Sequence, residues 1–396
     1  MSVDTTVIAP EVSEVLHSPH DFVVVAVTYP HRWRTGSEFV RRRVEAYRAA
    51  GLDGIVVEYS PLNVTGPHLI DDVSPVVAIP PDQLPGALAA IAESGSPVLA
   101  HSPTPDAIEA LREHIPPERL AVWFHGYEVR DYRRLHGNTT TMELLAIRHI
   151  RDAQNADRFR AAAPLFEDES ITKVFVSRTQ LEYSEFDVGA TARNVEVIPN
   201  VVDTDVYRAR VRTPEEARNI LLLRSFATHN YAADVAIRAL EICSRRDGFS
   251  DLNVTVKGYG ALFADTVAPV RHLDNVTVEE GFSSPAQMAA LYDAHGVSLV
   301  PTRYDTQGVM LGEAMASGCV TITNPVAAIP EFTDETCSLL PRANDPWAYA
   351  EALWSLVEDP SPVPTLSRNA AARVASQCGP RATSDREIEL IGRLAR

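Results

Sequence analysis

Runs of consecutive β-branched and aliphatic residues, separated by segments of helical period, set the pattern of this chain. The first run, FVVVAVT at 22–28, is apolar and β-branched up to its closing Thr28, as expected of a strand buried on both faces. A polar loop carrying Gly36 follows, then a helix predicted over 38–50. In it Phe39, Val40, Val44 and Tyr47 share one face, while Arg41, Arg42 and Arg48 point elsewhere. The break at Gly51-Leu52-Asp53-Gly54 leads into a second strand at 55–58, which completes a βαβ unit. Further strands are predicted at 73–79, 98–101, 120–124, 171–177 and 195–198, with helices at 85–93 and 105–114. Strand alternating with helix implies a parallel sheet.

The alternation pauses at PNVVDTDVYR (199–208), which has no sustained period, and at the charged, turn-like RVRTPEEAR. It then resumes. Strands at 220–223, 253–257, 276–278 and 297–301 are interleaved with helices at 231–245, 262–270 and 285–294. An apolar run at 319–323 follows, and helices over 347–358 and about 380–395 close the chain. The fold class is therefore α/β with two doubly wound domains, residues 1–205 and 206–380, and a terminal helix in 381–396. Open sheets of this kind bind ligands at the carboxyl ends of their strands.

Length agrees with two domains, since 396 residues exceed the usual size of one core. A hydrophobic content of 45% with 22% charged residues is ordinary for a soluble globular protein. The formal net charge of −17 argues against nucleic acid as a partner, because phosphate binding needs a basic surface. One local exception is the basic region Arg32–Arg48, which reads either as a surface helix with solvated arginines or as a peripheral contact with anionic acceptor or membrane groups. No apolar run is long enough to cross a bilayer, and MSVDTTVIAPEVSEV lacks a signal core, so a cytoplasmic location is expected, with peripheral attachment at the inner membrane face as an extension of it. Cys243, Cys319, Cys337 and Cys378 show neither close pairing nor metal-ligand spacing.

The richest chemistry lies in PTRYDTQGVMLGEAMASGCVTITNPVAAIPE (301–331). A loop with Asp305 and Gly308 runs into a helix containing Glu313, and a second loop ends at Pro330-Glu331. A glycine loop at a helix start leaves backbone N–H groups for a phosphate. The flanking carboxylates suit sugar hydroxyls instead. Together they suggest a ligand that is part phosphate and part sugar. Elsewhere, no G-x-S-x-G, G-x-x-x-x-G-K-[ST] or H-E-x-x-H motif occurs. Asp203-Thr204-Asp205 sits in the interdomain linker and reads as structural, so nothing in the sequence calls for a metal.

LGEAMASG, the acidic pair Asp305 and Glu313, and IPNVVDTDVYR resemble the signature of retaining GT-B glycosyltransferases of the family-four type, the glycosyl transferases group 1. The resemblance implies two Rossmann-like domains facing a central cleft, the first on the acceptor side and the second holding a nucleotide diphosphate sugar, with the last helix crossing back to the first. By the same resemblance Glu313 would hold the ribose, and Asp305, which stands where relatives have Glu, would hold a hydroxyl of the transferred sugar. The amides of Gly308 and Val309 would face phosphate or sugar oxygens. Arg224 would neutralise the diphosphate. The lysine that usually assists it is Asn230 here, with His229 and Lys257 as candidate replacements. In WFHGYEV, His125 would face sugar or acceptor with Glu128 beside it, Gly36 would lie near the donor phosphates, and Glu331 near base or ribose. His125, Asp305 and Arg224 are the catalytic candidates. The implied activity is metal-independent, retaining hexosyl transfer to a hydroxyl of a saccharide, lipid-linked or small-molecule acceptor, as in cell-surface polysaccharide or glycoconjugate synthesis, with no cofactor beyond the donor substrate. The departures at 305 and 230 keep a non-catalytic, glycosyltransferase-like partner open, and a nucleotide-sugar epimerase is the lesser alternative.

Overall fold

A computed structural model describes residues 10–31, 37–63 and 66–396. The chain divides into two compact units. One comprises the described residues up to Asp131, with His149–Val201 and Thr383–Arg396; the other comprises Tyr132–Arg148 and Val202–Ala382.

The first unit is built on an eight-stranded sheet: β1 (Phe22–Ala26), β2 (Gly54–Tyr59), β3 (His68–Ile70), β4 (Val76–Ile79), β5 (Val98–His101), β6 (Leu120–Phe124), β7 (Thr172–Phe175) and β8 (Val195–Val197). The order is β3-β4-β2-β1-β5-β6-β7-β8, and every pairing is parallel except the edge pair β3–β4. Side chains alternate across β1. Val23 and Val25 enter a core with helices Pro10–His17, Leu84–Ser94 and Pro105–His114, whereas Phe22 and Val24 enter another with Val40, Val44, Tyr47, Leu390 and Ile391. This explains why β1 carries no polar position.

In the second unit β9 (Asn219–Ser225), β10 (Asn253–Tyr259), β11 (Val276–Glu280), β12 (Val297–Leu299), β13 (Val320–Ile322) and β14 (Ser338–Leu339) form a six-stranded sheet ordered β11-β10-β9-β12-β13-β14, all parallel. Both sheets reverse strand order beside their first strand, β1/β5 in one and β9/β12 in the other. Those switch points open crevices at strand carboxyl ends.

Several elements differ from the sequence expectation. Helices Thr141–Glu167, Arg178–Val188 and Val363–Gln377 were not anticipated. The first of these has exposed residues all along its N-terminal half, including Met142, Leu145 and Ile150, so it carries no clean apolar stripe. Tyr132–Arg148 lies in the second unit by packing, although it falls inside 1–205 in sequence. Gly137 explains part of this, because a Cβ there would come within 2.7 Å of Arg303 Cδ. The DTD segment is a turn in which Asp203 Oδ1 accepts from the amides of Asp205 and Val206 at 3.0 and 3.1 Å.

Candidate active site

In the second unit the crevice is organised around Arg224, near the end of β9. The residue is 3% exposed. Its Nη2 donates to the Pro301 carbonyl at 2.8 Å, and its guanidinium lies 4.8 Å from the centroid of the Tyr231 ring. Nε is buried with no hydrogen-bond partner among the described residues. Burial lowers its pKa, which the charge of Asp305 opposes, and a guanidinium stays cationic through such a shift. The neighbouring strand approaches very closely. A Cβ on Gly258 would lie 2.0 Å from the Arg224 carbonyl oxygen, and one on Gly260 would lie 2.3 Å from the Ala227 nitrogen, so these glycines shape the turn and leave the Arg224 loop its room.

The glycine loop takes its shape from Asp305. Its Oδ1 accepts from Gly308 N at 2.8 Å and from Gln307 N at 3.2 Å. Gly308 has φ 87° and ψ 56°, a left-handed conformation that glycine adopts freely, and Val309 opens the helix Val309–Ala316 directly after it. Thus the shorter side chain at 305 has a use that Glu would not share, because it can close a turn onto amides two and three residues ahead. One expectation is corrected here. The Gly308 amide does not face outward for a phosphate but is taken by Asp305. Glu313 is half-buried and sits beyond the helix's first turn, not in a capping position.

Asn230 is a structural tie between two loops. Its Nδ2 donates to the Tyr304 carbonyl at 2.9 Å, and its own carbonyl accepts from Arg303 N at 2.7 Å. The nearby cation that sequence reading missed is Arg303, inside the signature itself. Its fork is filled by both oxygens of Asp234 at 2.8 Å and by the His229 carbonyl. His229 itself is exposed. The structure does not bring Lys257 to Arg224. It pairs with Glu279 at 2.6 Å, and its register partner is Leu223, on the opposite sheet face from Arg224. Glu331 is half-buried in helix Ile329–Phe332, and its carbonyl accepts from Gln377. Gly36 lies outside the described residues. Arg224, Asn230, Asp305, Gly308 and Val309 therefore gather around the loops that follow β9 and β12.

In the first unit His125 follows β6. Glu128 folds that loop, its Oε2 accepting from His125 N at 3.2 Å and Gly126 N at 2.8 Å. His125 Nε2 meets Nδ1 of buried His101 at 3.1 Å, and its ring packs 4.3 Å from that of Phe39. Behind them Arg43, which is 1% exposed, binds Glu387 Oε1 and Asn200 Oδ1, both at 2.9 Å, while Tyr47 Oη donates to Glu387 Oε2 at 2.7 Å. His101 and His125 were legible as strand ends; their pairing was not.

Residues 217–359 match the family model described as glycosyl transferases group 1. This segment is similar to that family. No curated protein sequence matches the chain. Among solved structures, sucrose-phosphate synthase from Thermosynechococcus elongatus is 18% identical, with 94% of this chain and 98% of that one covered at a TM-score of 0.67. HepE of Anabaena in complex with UDP is 14% identical over 94% and 99% at 0.66, and the UDP-forming α,α-trehalose-phosphate synthase of Burkholderia vietnamiensis is 11% identical over 96% and 98% at 0.65. The fold is GT-B. Against that frame Arg224 and Glu313 stand inside the family-matched segment, and His125 stands outside it. Among the described residues no group of three or more His, Cys, Asp or Glu side chains is arranged to hold a metal ion, and no helix is long and apolar enough to cross a membrane.

Burial holds both histidines of this GT-B chain well below 6.5, helped by Arg43 and, for His101, by His125. Each is neutral in the folded chain, so His125 can donate or accept one hydrogen bond but brings no cation. The sign of the pH dependence follows. Below 6.5 the unfolded chain takes up protons that the folded chain refuses. Stability is complete above that value and falls as pH drops, by up to about 1.4 kcal/mol per pH unit for each histidine. Denaturation midpoints followed from about pH 8 to 5 check this. A His101→Phe variant should flatten the slope, and an unchanged slope would assign it to other groups.

Proposed function

We propose that the chain is a retaining glycosyltransferase that moves a hexose-type sugar from a nucleoside diphosphate sugar to a hydroxyl of an acceptor, without a metal and in the cytoplasm. The observation that carries this reading is Arg224, a buried cation at a switch point with an unpartnered Nε, beside the Asp305–Gly308 loop and a helix start inside a glycosyl transferases group 1 segment. In this reading Arg224 and the amide of Val309 meet the diphosphate, Glu313 meets the ribose and Asp305 a sugar hydroxyl through its second oxygen. The bond from the sugar's anomeric carbon to the phosphate oxygen breaks, and the diphosphate leaves with the electron pair. The acceptor oxygen attacks from the same side, and its proton passes to the departing diphosphate oxygen. Arg224 stabilises the charge that develops there. The basic helix Glu38–Ala49 would serve an anionic surface only in part, because Arg43 is spent on Glu387, Arg41 on Asp72 and Glu45, and Arg48 on Asp53.

Thermal unfolding with UDP-, GDP-, ADP- and dTDP-sugars tests the donor half. HepE is solved with UDP-glucose, which makes a UDP-sugar the first choice. One nucleotide class should raise the stability, by about 2.7 kcal/mol at 100 times its dissociation constant. No shift with any class would overturn the reading. A second reading, a partner that binds nucleotide sugar without turnover, is favoured by two observations: Asn230 replaces a cation, and Asp305 is engaged with its own loop. Asp305→Asn separates the two. It keeps the Oδ1 acceptor and the loop, so loss of transfer with the donor shift intact assigns the carboxylate a chemical role, whereas no transfer in the parent chain favours the partner.

A further inference from the structure

We infer that Asn324, oriented by Tyr349, is a positioning residue for Arg224: its carboxamide stands in for a neighbouring strand where β12 ends, and so fixes the carbonyl that holds the guanidinium. If the transferase reading holds, on which the catalytic half of this assignment rests, Asn324 governs turnover without touching substrate.

Arg224 is anchored through Nη2 to the Pro301 carbonyl at 2.8 Å, so the guanidinium follows wherever that carbonyl points. Pro301 lies past the end of β12 at Leu299, and proline has no backbone N–H to pair with a neighbour. The residues on either side must therefore hold it. Before it, Val300 N donates to the Ile322 carbonyl at 2.9 Å, and the Val300 carbonyl accepts from Thr323 Oγ1 at 2.8 Å. After it, the ladder to β13 has stopped, because the Asn324 carbonyl turns to Val326 N at 2.9 Å. The Asn324 side chain continues the pairing instead. Its Oδ1 accepts from Thr302 N at 3.1 Å, and its Nδ2 donates to the Thr302 carbonyl at 2.8 Å. A carboxamide carries the donor and the acceptor of a peptide group, so one side chain exchanges both bonds with one residue, as opposed strands do.

Tyr349 decides which way the amide faces. It lies in helix Pro346–Glu358, and its Oη donates to Asn324 Oδ1. Burial pushes that hydroxyl well above its ordinary range, so it remains a donor. With two donors on Oδ1, the Nδ2 end is left for the Thr302 carbonyl. Asn324 is 1% exposed, and an amide atom unpaired there would have no water to turn to. The chain Tyr349–Asn324–Thr302–Pro301–Arg224 thus runs from a buried hydroxyl to the cation, wholly inside the second unit.

The test is nitrogen-15 NMR of the arginine Nε–H groups in the full chain without nucleotide, with Arg224→Ala assigning the Arg224 line. In Asn324→Leu, similar in branched shape but without either bond, that line should shift and its exchange with water should quicken by about tenfold. The line of Arg212, another buried guanidinium of the same unit, should stay. Tyr349→Phe removes only the hydroxyl and should give a smaller change of the same kind; it decides the matter if Asn324→Leu does not fold. A parent-like Arg224 line in a folded variant overturns the inference, as does an equal change at Arg212. Where transfer is measurable, Asn324→Leu should lower kcat by about tenfold with donor KM within about twofold, because Arg224 meets charge that develops only in the transition state. In an Arg224→Ala background the same substitution should cost less than about twofold, and a tenfold loss there would make Asn324 independent of Arg224 and overturn the inference. An Arg224 line altered by Asn324→Leu, in a parent chain that shows neither nucleotide shift nor transfer, supports the positioning role and overturns only the transferase reading.

Discussion

Arg224→Ala is expected to lower kcat/KM for sugar transfer by about 10² to 10³, the usual effect of removing one preorganised group that meets charge developing in a transition state. Arg224 is suited to this role because it is held before any ligand arrives. The Pro301 carbonyl and the Tyr231 ring fix its plane, and its Nε has no partner among the described residues. No reorganisation is therefore required as the phosphate bond breaks. Arg224→Lys keeps a charge but loses the planar fork and the stack, so it should fall between parent and alanine. Donor-induced thermal shifts should shrink in the same order. Circular dichroism must show the fold intact, since the Pro301 bond ties β9 to the loop after β12. Parent-like turnover in Arg224→Ala would remove the residue from the donor site.

Glu387→Ala is expected to destabilise the first unit by about 3–5 kcal/mol, because it leaves the buried charge of Arg43 without its anion. The pair is almost wholly enclosed, with side chains 1% and 2% exposed, and Tyr47 loses its acceptor at the same time. Asn200 is too weak a substitute, being neutral. Urea denaturation gives the loss directly. A Glu387→Gln variant keeps the shape and one acceptor and should lose less. A loss under about 1 kcal/mol in Glu387→Ala would mean that water replaces the carboxylate, as it does at exposed pairs. The same change exposes His101 and His125 to an uncompensated cation, so their protonation should become harder still.

Much of the fold was legible because buried parallel strands leave an unmistakable record. FVVVAVT, LAVWF and the run at 319–323 read as sheet interiors in a chain whose helices return between them. Helix Thr141–Glu167 was not legible. Its stability comes from one buried stretch, Arg158 to Phe166, and the rest is polar or exposed, so the period never stands out. Edge strand β3 escaped for the opposite reason, since only Ile70 of its residues is buried. At the candidate site, the signature exposed Asp305, Gly308 and Glu313 through local spacing, whereas Arg224 came only from the resemblance to the glycosyl transferases group 1 pattern. Lys257 was misdirected because spacing does not tell which sheet face a strand-end side chain takes; the Leu223 register decides that.

By itself, then, the sequence determined the two α/β halves, the glycine loop after the twelfth strand and the residue types gathered around it, all of which depend on neighbours within a few positions. Tertiary structure alone decided that Asp305 spends one oxygen on Gly308, that Asn230 ties its loop to the Tyr304 carbonyl, and that Arg43 meets Glu387. Arg43 and Glu387 lie 344 positions apart. Such partners are chosen by burial, since a charge removed from water must find an opposite charge wherever the packed chain brings one.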